Sequence, residues 1–223
     1  MGIVVVIDVI RAFSTAAYAF ERGAQTIFLT DTPESAFALR SRFPDALLMG
    51  EIGGSPIAGF DFGNSPSLLA SVDLSGRTMI QRTSAGTQGV VRSVRAQHLT
   101  AGSFVCARAT ADYIRRLSPE QVTFVITGAR SGTNSHRQIS GWGDEDAACA
   151  DYIEAILLGN SPDPTPFLQR ARGSRAGIAL ASSTRRGIPP EDLEFCLALD
   201  RFDFAMPVQR EGGLLAMRRV INP

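Results

Sequence analysis

The stretch Ile3-Val4-Val5-Val6-Ile7-Asp8-Val9-Ile10-Arg11 begins with five β-branched apolar residues and then becomes charged. A run that is apolar throughout predicts a strand whose two faces are both covered, as is usual for parallel strands in α/β proteins. A second, largely apolar run spans residues 122–126. Together the two runs predict an α/β fold, a three-layer α/β/α sandwich with a mainly parallel sheet.

The rest of the chain repeats this pattern of short strands and longer helices. Runs rich in valine and isoleucine alternate with stretches of helical period, as in βαβ units. The predicted strands cover residues 3–7, 26–30, 46–49, 78–82, 122–127 and 204–209. The predicted helices cover residues 12–22, 33–42, 85–94, 107–117 and 145–158. We therefore predict a single domain over residues 1–223, in which the proline-rich stretch 159–166 is either a long surface turn or a boundary toward a C-terminal portion.

The charge composition indicates which kinds of molecule the protein is expected to bind. The 223 residues include 22 arginines, 22 acidic residues and no lysine. An even balance without long blocks of one sign argues against nucleic acid or an anionic membrane as the main partner. Without lysine, Schiff-base catalysis is excluded, and a bound phosphate must be held by arginine or by backbone N–H groups. The expected partner is a small-molecule phosphate ester, and a homo-oligomer is left open.

The cysteines and the apolar runs indicate the cellular compartment of the protein and whether it is attached to a membrane. Cys106, Cys149 and Cys196 lie far apart and show no CxxC spacing, which favours a reducing compartment. No stretch approaches the ~18 uninterrupted apolar residues of a membrane-spanning helix, and the run at residues 3–7 is too short for a signal peptide. We therefore predict a cytoplasmic protein that is not anchored to a membrane.

Polar clusters follow the predicted strands, where ligands bind in α/β sheets. In the first cluster, Asp8 ends a buried strand and Arg11 follows three residues later. The carboxylate can hold a hard cation through oxygen, and the guanidinium offers a planar fork to a phosphate or sulfonate. The alternative is an aspartate that caps the next helix and pairs locally with the arginine.

The second cluster is a glycine-rich loop that extends from Gly50 to Pro66. It contains two carboxylates, Glu51 and Asp61, and the amide of Asn64. Glycines at this density allow the backbone to come close to a ligand. The alternative is a surface loop in which Asn64 or the following serine caps a helix that begins at Pro66, but that capping does not account for the two acids.

The third cluster follows the strand at residues 78–82 and opens a helix. It consists of Arg82, Thr83, Ser84, Gly86 and Thr87, with an alanine between the serine and the glycine. Free N–H groups and the positive end of a helix favour an anion there. The alternative is an ordinary hydroxyl cap. The spacing is not that of a Walker loop, which also needs the missing lysine.

Two further features lie between residues 128 and 146. The glycine- and serine-rich segment from Gly128 to Trp142 is long for a connection in a compact domain and indicates a lid. The acids Asp144, Glu145 and Asp146 then begin a helix. They could supply a magnesium ligand or a base. Acids in a first helical turn also simply complement the helix dipole, and that alternative is strong.

Several chemistries are not supported by these residues. His98 and His136 have neither metal-ligand spacing nor a paired nucleophile. Ser84 is not surrounded by a GxSxG motif. Asp8 is followed two residues later by Ile10 and not by a second aspartate, which argues against an aspartyl-phosphate route.

In this order the clusters resemble the 2-phosphosulfolactate phosphatase family. The first segment, Ile7-Asp8-Val9-Ile10-Arg11-Ala12-Phe13-Ser14-Thr15, is similar to the family's IDVxRAxST-type segment. The closest match is Gly59-Phe60-Asp61-Phe62-Gly63-Asn64-Ser65-Pro66, which resembles the family's GFDxGNSP segment. The likeness extends over roughly residues 3–158, and it is weaker beyond them.

The resemblance implies a reaction and a metal site. Members hydrolyse the phosphate ester of a small sulfonated hydroxy acid with Mg²⁺, on a route toward coenzyme M. On this chain the metal ligands would be Asp8, Glu51 and an acid of the 144–146 turn, either Glu145 or Asp146. Asp61 would act as the base for the attacking water, or as a further ligand.

The resemblance also places the substrate. Arg11, Arg82 and the N–H groups near Gly86 would hold the phosphoryl oxygens, with Asn64, Thr83, Ser84 and Thr87 around them. We expect both arginines to converge on one anion pocket, because both follow strands predicted to lie in the same parallel sheet, where the loops after the strands open on one edge. Ile52 stands where an arginine often follows the family's glutamate, and Ala85 stands where the family carries asparagine. These departures leave the substrate open and favour, as an alternative, a non-catalytic protein that binds anions.

Overall fold

A computed structural model describes residues 1–128 and 143–221. The ten strands in these residues are β1 Gly2–Ile7, β2 Thr26–Thr30, β3 Leu47–Ile52, β4 Ser55–Pro56, β5 Thr78–Arg82, β6 His98–Gly102, β7 Gln121–Ile126, β8 Phe204–Glu211, β9 Leu214–Met217 and β10 Val220–Ile221. The nine α-helices are α1 Ala12–Glu21, α2 Pro33–Arg42, α3 Pro66–Leu69, α4 Gly86–Arg92, α5 Ala107–Leu117, α6 Asp144–Leu157, α7 Thr165–Arg172, α8 Arg175–Ala181 and α9 Asp192–Cys196. No helix in residues 1–128 or 143–221 is both long and apolar enough to cross a membrane.

The predicted elements are present. Each of the six predicted strands and five predicted helices has a counterpart with nearly the same ends. The structure adds elements that the sequence patterns did not indicate, chiefly β6, the β8–β9 pairing and the short helices α7 to α9. The predicted lid falls mainly on residues 129–142, which lie outside the described residues. The three cysteines are buried and free.

The strands form one mixed sheet in the order β4-β3-β5-β2-β9-β8-β6-β1-β7, and β10 pairs with β8. Pairing is parallel within the group β3-β5-β2 and within the group β6-β1-β7. Between the groups, β9 and β8 pair antiparallel with their neighbours and with each other. The α/β class and the parallel pairing of each group are therefore confirmed, while the sheet as a whole is mixed. The three-layer arrangement stays a prediction.

The two parallel groups run in opposite directions along the sheet. Strand β6 is antiparallel to β8, β8 is antiparallel to β9, and β9 is antiparallel to β2. The expectation that β1 and β5 lie in one parallel sheet, with their following loops at a common edge, is therefore wrong. The loops meet for another reason, since α4 leads from the end of β5 onto β1, where a Cβ on Gly89 would be 2.7 Å from Val6 Cγ1.

The core lies on both faces of β1. Val6 packs in a cluster with Phe13 and Phe20 of α1, whereas Val5 and Ile7 pack in a second cluster that includes Tyr152 of α6. Successive side chains of a strand point to opposite faces, so one apolar strand supplies both clusters. Each fully buried apolar side chain contributes about 1.5–3 kcal/mol. Because side chains pack on both faces of β1, the position of its last residue is fixed, and the candidate site begins directly after it.

Candidate active site

Four acidic side chains are buried together near the end of β1. They are Asp8, Glu51, Glu145 and Asp146, and each is at most 6% exposed. Acidic side chains are almost never buried to this degree unless they are paired, because leaving water penalises the charged form. A group of them is therefore the strongest functional signal in the described structure.

Asp8 follows β1 directly, and the amides of Ala12 and Gly86, at the starts of α1 and α4, both favour its charged form. Its Oδ1 accepts a hydrogen bond from the Ala12 amide at 3.0 Å, at the start of α1. Burial raises its pKa from the ordinary 3.8 to about 6, against the lowering effect of the Ala12 hydrogen bond. The charges of Glu51 and Glu145 contribute to the same rise in its pKa. Asp8 is thus a carboxylate held in a negative, poorly solvated position.

Asp146 joins the start of α6 to the ends of β1 and β7. Its Oδ1 accepts from the Val9 amide at 2.7 Å, and its Oδ2 accepts from the Gly128 amide at 3.1 Å and from Thr127 Oγ1 at 3.3 Å. Burial, followed by the charges of Asp8 and Glu145, raises its pKa well above the ordinary value. Both of its oxygens are used, which suits a side chain that holds the site together.

Glu145 is less completely satisfied. Its Oε2 is buried and has no hydrogen-bond partner among the described residues. Burial raises the pKa of this carboxyl, while a hydrogen bond with Ser174 lowers it. Buried carboxylate oxygens normally have partners, so an unpartnered one indicates a missing ligand, water or ion.

Glu51 lies near the end of β3, in the other parallel group of strands, and its carboxylate bonds to two turns. Its Oε1 accepts from the Ser84 amide at 2.5 Å, and its Oε2 accepts from the Gly54 amide at 2.5 Å and from Ser84 Oγ at 3.1 Å. The turn after β3 and the turn after β5 are therefore held against each other by one carboxylate. Its charge still reaches Asp8, whose pKa it raises.

Arg11 is paired in the interior instead of being free for a ligand. Its Nη1 donates to Asp192 Oδ2 at 2.9 Å, and the Asp192 side chain is 0% exposed. Its Nη2 lies 3.4 Å from the Gly54 carbonyl oxygen. Asp192 Oδ1 also accepts from Ser65 Oγ at 2.8 Å and from the Ser67 amide at 3.0 Å. The arginine thus holds the turn after β3, and its charge is already balanced.

Asp192 was not among the site residues predicted from the sequence. The residue begins α9 after Pro189, Pro190 and Glu191, where an acid ordinarily complements the helix dipole in solvent. Its partner Arg11 is 181 residues away in the chain. The two adjacent prolines followed by two acids were the only local signal, and that signal does not distinguish a buried aspartate from an exposed one.

Arg82 contacts the same turn from the other side. Its Nη1 donates to the Glu51 carbonyl oxygen at 2.8 Å, and its Nε donates to the Asp31 carbonyl oxygen at 3.2 Å. Arg11 and Arg82 therefore both reach the turn formed by residues 51–54. Their convergence on a bound anion stays a prediction.

The hydroxyls of the third cluster are used within their own turn. Thr83 donates its amide to Thr87 Oγ1 at 2.8 Å, and Thr87 donates its amide to Thr83 Oγ1 at 3.1 Å. Ser84 bonds Glu51 and also accepts from the Gly53 amide at 2.9 Å. These bonds are those of a helix cap. Gly86 is different, because it lies against Asp8.

The structure places Asp61 apart from the acidic group. Its Oδ2 accepts from the Leu48 amide at 2.8 Å and from Arg40 Nη1 at 3.3 Å, toward the beginning of β3 and the end of α2. Asn64 is buried, and its Oδ1 has no hydrogen-bond partner in the described chain. No hydrogen bond of Asp61 within the described residues joins it to Asp8 or to the other three buried acids.

A family model described as 2-phosphosulpholactate phosphatase matches residues 1–212. The chain belongs to this family. A protein of Bacillus subtilis (strain 168) named probable 2-phosphosulfolactate phosphatase is 34% identical over 218 residues, which are 97% of this chain and 91% of the relative. A protein of the same name from Carboxydothermus hydrogenoformans is 34% identical over 236 residues, 98% of this chain and 90% of the relative. One from Deinococcus radiodurans is 39% identical over 127 residues, 56% of this chain and 53% of the relative.

In this member of the 2-phosphosulpholactate phosphatase family, the two departures noted in the sequence lie on the turns that Glu51 joins. Ile52 follows Glu51 and is 49% exposed, which is unusual for an isoleucine at a turn. Ala85 is the residue before α4. Both positions are therefore close to the acidic group but contribute no polar side chain to it.

The acidic group suits a hard cation by its chemistry. It offers carboxylate oxygens only, one of them unpartnered, and burial together with repulsion from neighbouring acids raises the pKa of Asp8 and Asp146. In residues 1–128 and 143–221, however, no three His, Cys, Asp or Glu side chains are placed to hold a metal ion by themselves. This arrangement fits Mg²⁺ better than Zn²⁺, because Mg²⁺ keeps several waters and is usually bound by one or two carboxylates together with substrate phosphates.

Proposed function

We propose that the protein is a magnesium-dependent phosphatase that hydrolyses the phosphate ester of a small anionic hydroxy acid, with 2-phosphosulfolactate as the first candidate and sulfolactate and phosphate as the products. The observation that carries the proposal is the burial of Asp8, Glu51, Glu145 and Asp146 at one place. The family and the names of the relatives supply the reaction.

Asp8 and Glu145 are the residues we propose as magnesium ligands. Glu145 has an unpartnered buried oxygen, and Asp8, whose pKa is raised by the charge of Glu145, is bonded among the described residues by backbone amides only and not by a cationic side chain. When bound, Mg²⁺ polarises phosphoryl oxygens and lowers the pKa of a bound water. Glu51 and Asp146 have both oxygens engaged by amides and hydroxyls, so we assign them to positioning.

The chain's own residues then orient and enclose the ester. Glu51 keeps the turns after β3 and β5 together, and Asp146 keeps α6 against the ends of β1 and β7. Fixed donors and dipoles in a site that excludes water stabilise charge that develops in the transition state. We assign no proton transfer to Asp61, because its carboxylate is bound by the Leu48 amide and Arg40.

The test is a phosphate-release screen with purified protein. It compares 2-phosphosulfolactate, 2-phosphoglycerate and a phosphate ester of a neutral alcohol, each with Mg²⁺ and with excess chelator. We expect release from at least one phosphorylated hydroxy acid, only when Mg²⁺ is present. Release from none of the esters contradicts the proposal.

A non-catalytic, anion-binding protein is the second candidate. The observation in its favour is that Ile52 and Ala85 bring no polar side chain to the turns that meet at Glu51. The same screen distinguishes the two candidates when it is paired with calorimetric titration of 2-phosphosulfolactate. Binding with no phosphate release supports the second candidate, and release supports the first.

A further inference from the structure

Arg185 extends over the turn that contacts the acidic group. Its Nη1 lies 3.6 Å from the position that a Cβ would take on Gly54, and its Nη2 donates a hydrogen bond to Ser55 Oγ. The segment that carries it packs on the same turn, because a Cβ on Gly187 would be 3.0 Å from Pro56 Cγ. The guanidinium therefore has a defined place, although its residue is exposed.

Gly54 connects this guanidinium to the site. The Gly54 amide donates to Glu51 Oε2, and its carbonyl oxygen lies 3.4 Å from Arg11 Nη2. Gly54 therefore adjoins both Glu51 and the Arg185 guanidinium, so a path from the acidic group along this turn leads to Arg185. The turn has no side chain at Gly53 or Gly54 to obstruct this path, and a Cβ on Gly53 would meet no atom within 4 Å.

Arg185 also has no acidic partner among the described residues, since it forms no ion pair with an acid within residues 1–128 and 143–221. The remaining residues, 129–142 and 222–223, contain no aspartate or glutamate. Arg11, in contrast, is neutralised by Asp192, and Arg82 faces two main-chain carbonyl oxygens.

We infer that Arg185 binds a second anionic group of the substrate, a carboxylate or sulfonate that lies beside the phosphate ester. This inference rests on the proposed function. A guanidinium offers a planar pair of donors to such an oxyanion, and charge-assisted hydrogen bonds of this kind are stronger than neutral ones. Arg185 is then a residue that determines specificity, because an ester of a neutral alcohol gives it nothing to bind.

The test compares Arg185→Gln with the unaltered protein on two kinds of ester. For a phosphorylated hydroxy acid we expect KM to rise about tenfold with kcat within about threefold, since a charged hydrogen bond is lost in both the ground state and the transition state. For a phosphate ester of a neutral alcohol we expect no change. Arg185→Lys keeps the charge without the fork, and its KM should lie between the two.

Product inhibition gives a second readout. Sulfolactate keeps the acidic groups and lacks the phosphate, so Arg185→Gln should weaken its inhibition about tenfold and leave inhibition by inorganic phosphate unchanged. Arg186→Gln, the same change at the exposed neighbour, is the matched control and should behave as the unaltered protein.

The outcomes separate the inference from the function on which it rests. If the unaltered protein hydrolyses phosphorylated hydroxy acids but Arg185→Gln affects both kinds of ester equally, or neither, Arg185 does not read the second anionic group and the inference alone is overturned. If the unaltered protein hydrolyses no phosphate ester, the proposed function fails and the inference fails with it.

Discussion

Gly86 lies in direct contact with the Asp8 carboxylate. A Cβ on Gly86 would be 2.8 Å from Asp8 Oδ2 and 2.8 Å from the Ala12 Cβ, closer than Cβ atoms come to their neighbours in real structures. The first residue of α4, which follows β5, is thereby brought against the end of β1, in the other group of strands. The absence of a side chain is what permits this approach.

We therefore expect Gly86→Ala to reduce turnover about 100-fold, because the methyl group displaces Asp8 or α4 and a shift of about 1 Å is enough for such a loss. Overpacking should also lower the free energy of unfolding by about 1–3 kcal/mol. Phosphate release and urea unfolding measure the two effects. The control is Gly2→Ala, whose Cβ would approach only the Gln121 carbonyl oxygen, at 3.8 Å. Normal turnover in Gly86→Ala would show that the contact does not position Asp8.

Asp8→Asn should lower turnover about 100-fold or more, since it keeps the size of the side chain and removes the charge that a hard cation needs. The variant should remain folded, because an asparagine Oδ1 can still accept the Ala12 amide hydrogen bond. Phosphate release at saturating substrate is the measurement. Asp45→Asn, the same change at an exposed residue, should have no effect. A folded Asp8→Asn protein with near-normal turnover rules out this role.

The stability of the protein without metal should depend on pH through Asp8. Burial raises its pKa from 3.8 to about 6, so the folded state keeps this proton to a higher pH than the unfolded state. The free energy of unfolding should consequently fall as pH rises from about 4 to about 6, by up to about 3 kcal/mol for this one group.

Asp8→Asn provides the comparison for the pH effect. In chelator we expect it to be more stable than the unaltered protein at pH 7, and the difference to vanish near pH 4. Urea unfolding at a series of pH values measures the difference. A constant difference over this range contradicts the raised pKa.

Metal binding should be visible without any assay of activity. If Asp8 and Glu145 hold Mg²⁺, added Mg²⁺ should raise the Tm in proportion to the logarithm of its concentration above Kd, since only the folded state has the site. Glu145→Gln should reduce this gain, and Glu154→Gln, an exposed glutamate of the same helix, should not. Turnover that resists excess chelator, or equal Tm gains in both variants, argues against the assignment.

The buried pair of Arg11 and Asp192 should be worth more in stability than any exposed pair. Asp192→Asn leaves a buried guanidinium without its counter-charge, and we expect the free energy of unfolding to fall by about 3–5 kcal/mol. Asp151→Asn breaks the exposed pair with Arg170 and should cost about 1 kcal/mol or less. Chemical denaturation measures both. The double change of Arg11→Met with Asp192→Leu should recover part of the loss, and no recovery would show that the serine hydrogen bonds dominate.

Those parts of the site that depend on neighbouring residues in the sequence could be predicted. Asp8 follows a strand and Glu51 lies near the end of one, and strand ends can be located approximately from apolar runs. The role of Asp192 could not be predicted, because an acidic helix start looks the same whether it is exposed or buried against an arginine 181 residues away. The mixed sheet was missed for a related reason. Strand β6 contains a histidine and a threonine, and β9 has four residues, so neither resembles the long apolar run at β1.

The β8–β9 hairpin has a consequence for how the protein is made. Apart from the two-residue β10, its strands follow every other strand in the sequence, yet they lie between β2 and β6 in the sheet. During translation the two strand groups can each begin to form early, but the pairings that join them through β8 and β9 await strands that are made after both groups. Such non-local pairing is slow to form. The nascent chain therefore carries open strand edges on β2 and β6 until β8 and β9 have been made, and open edges of this kind are prone to pair with other chains.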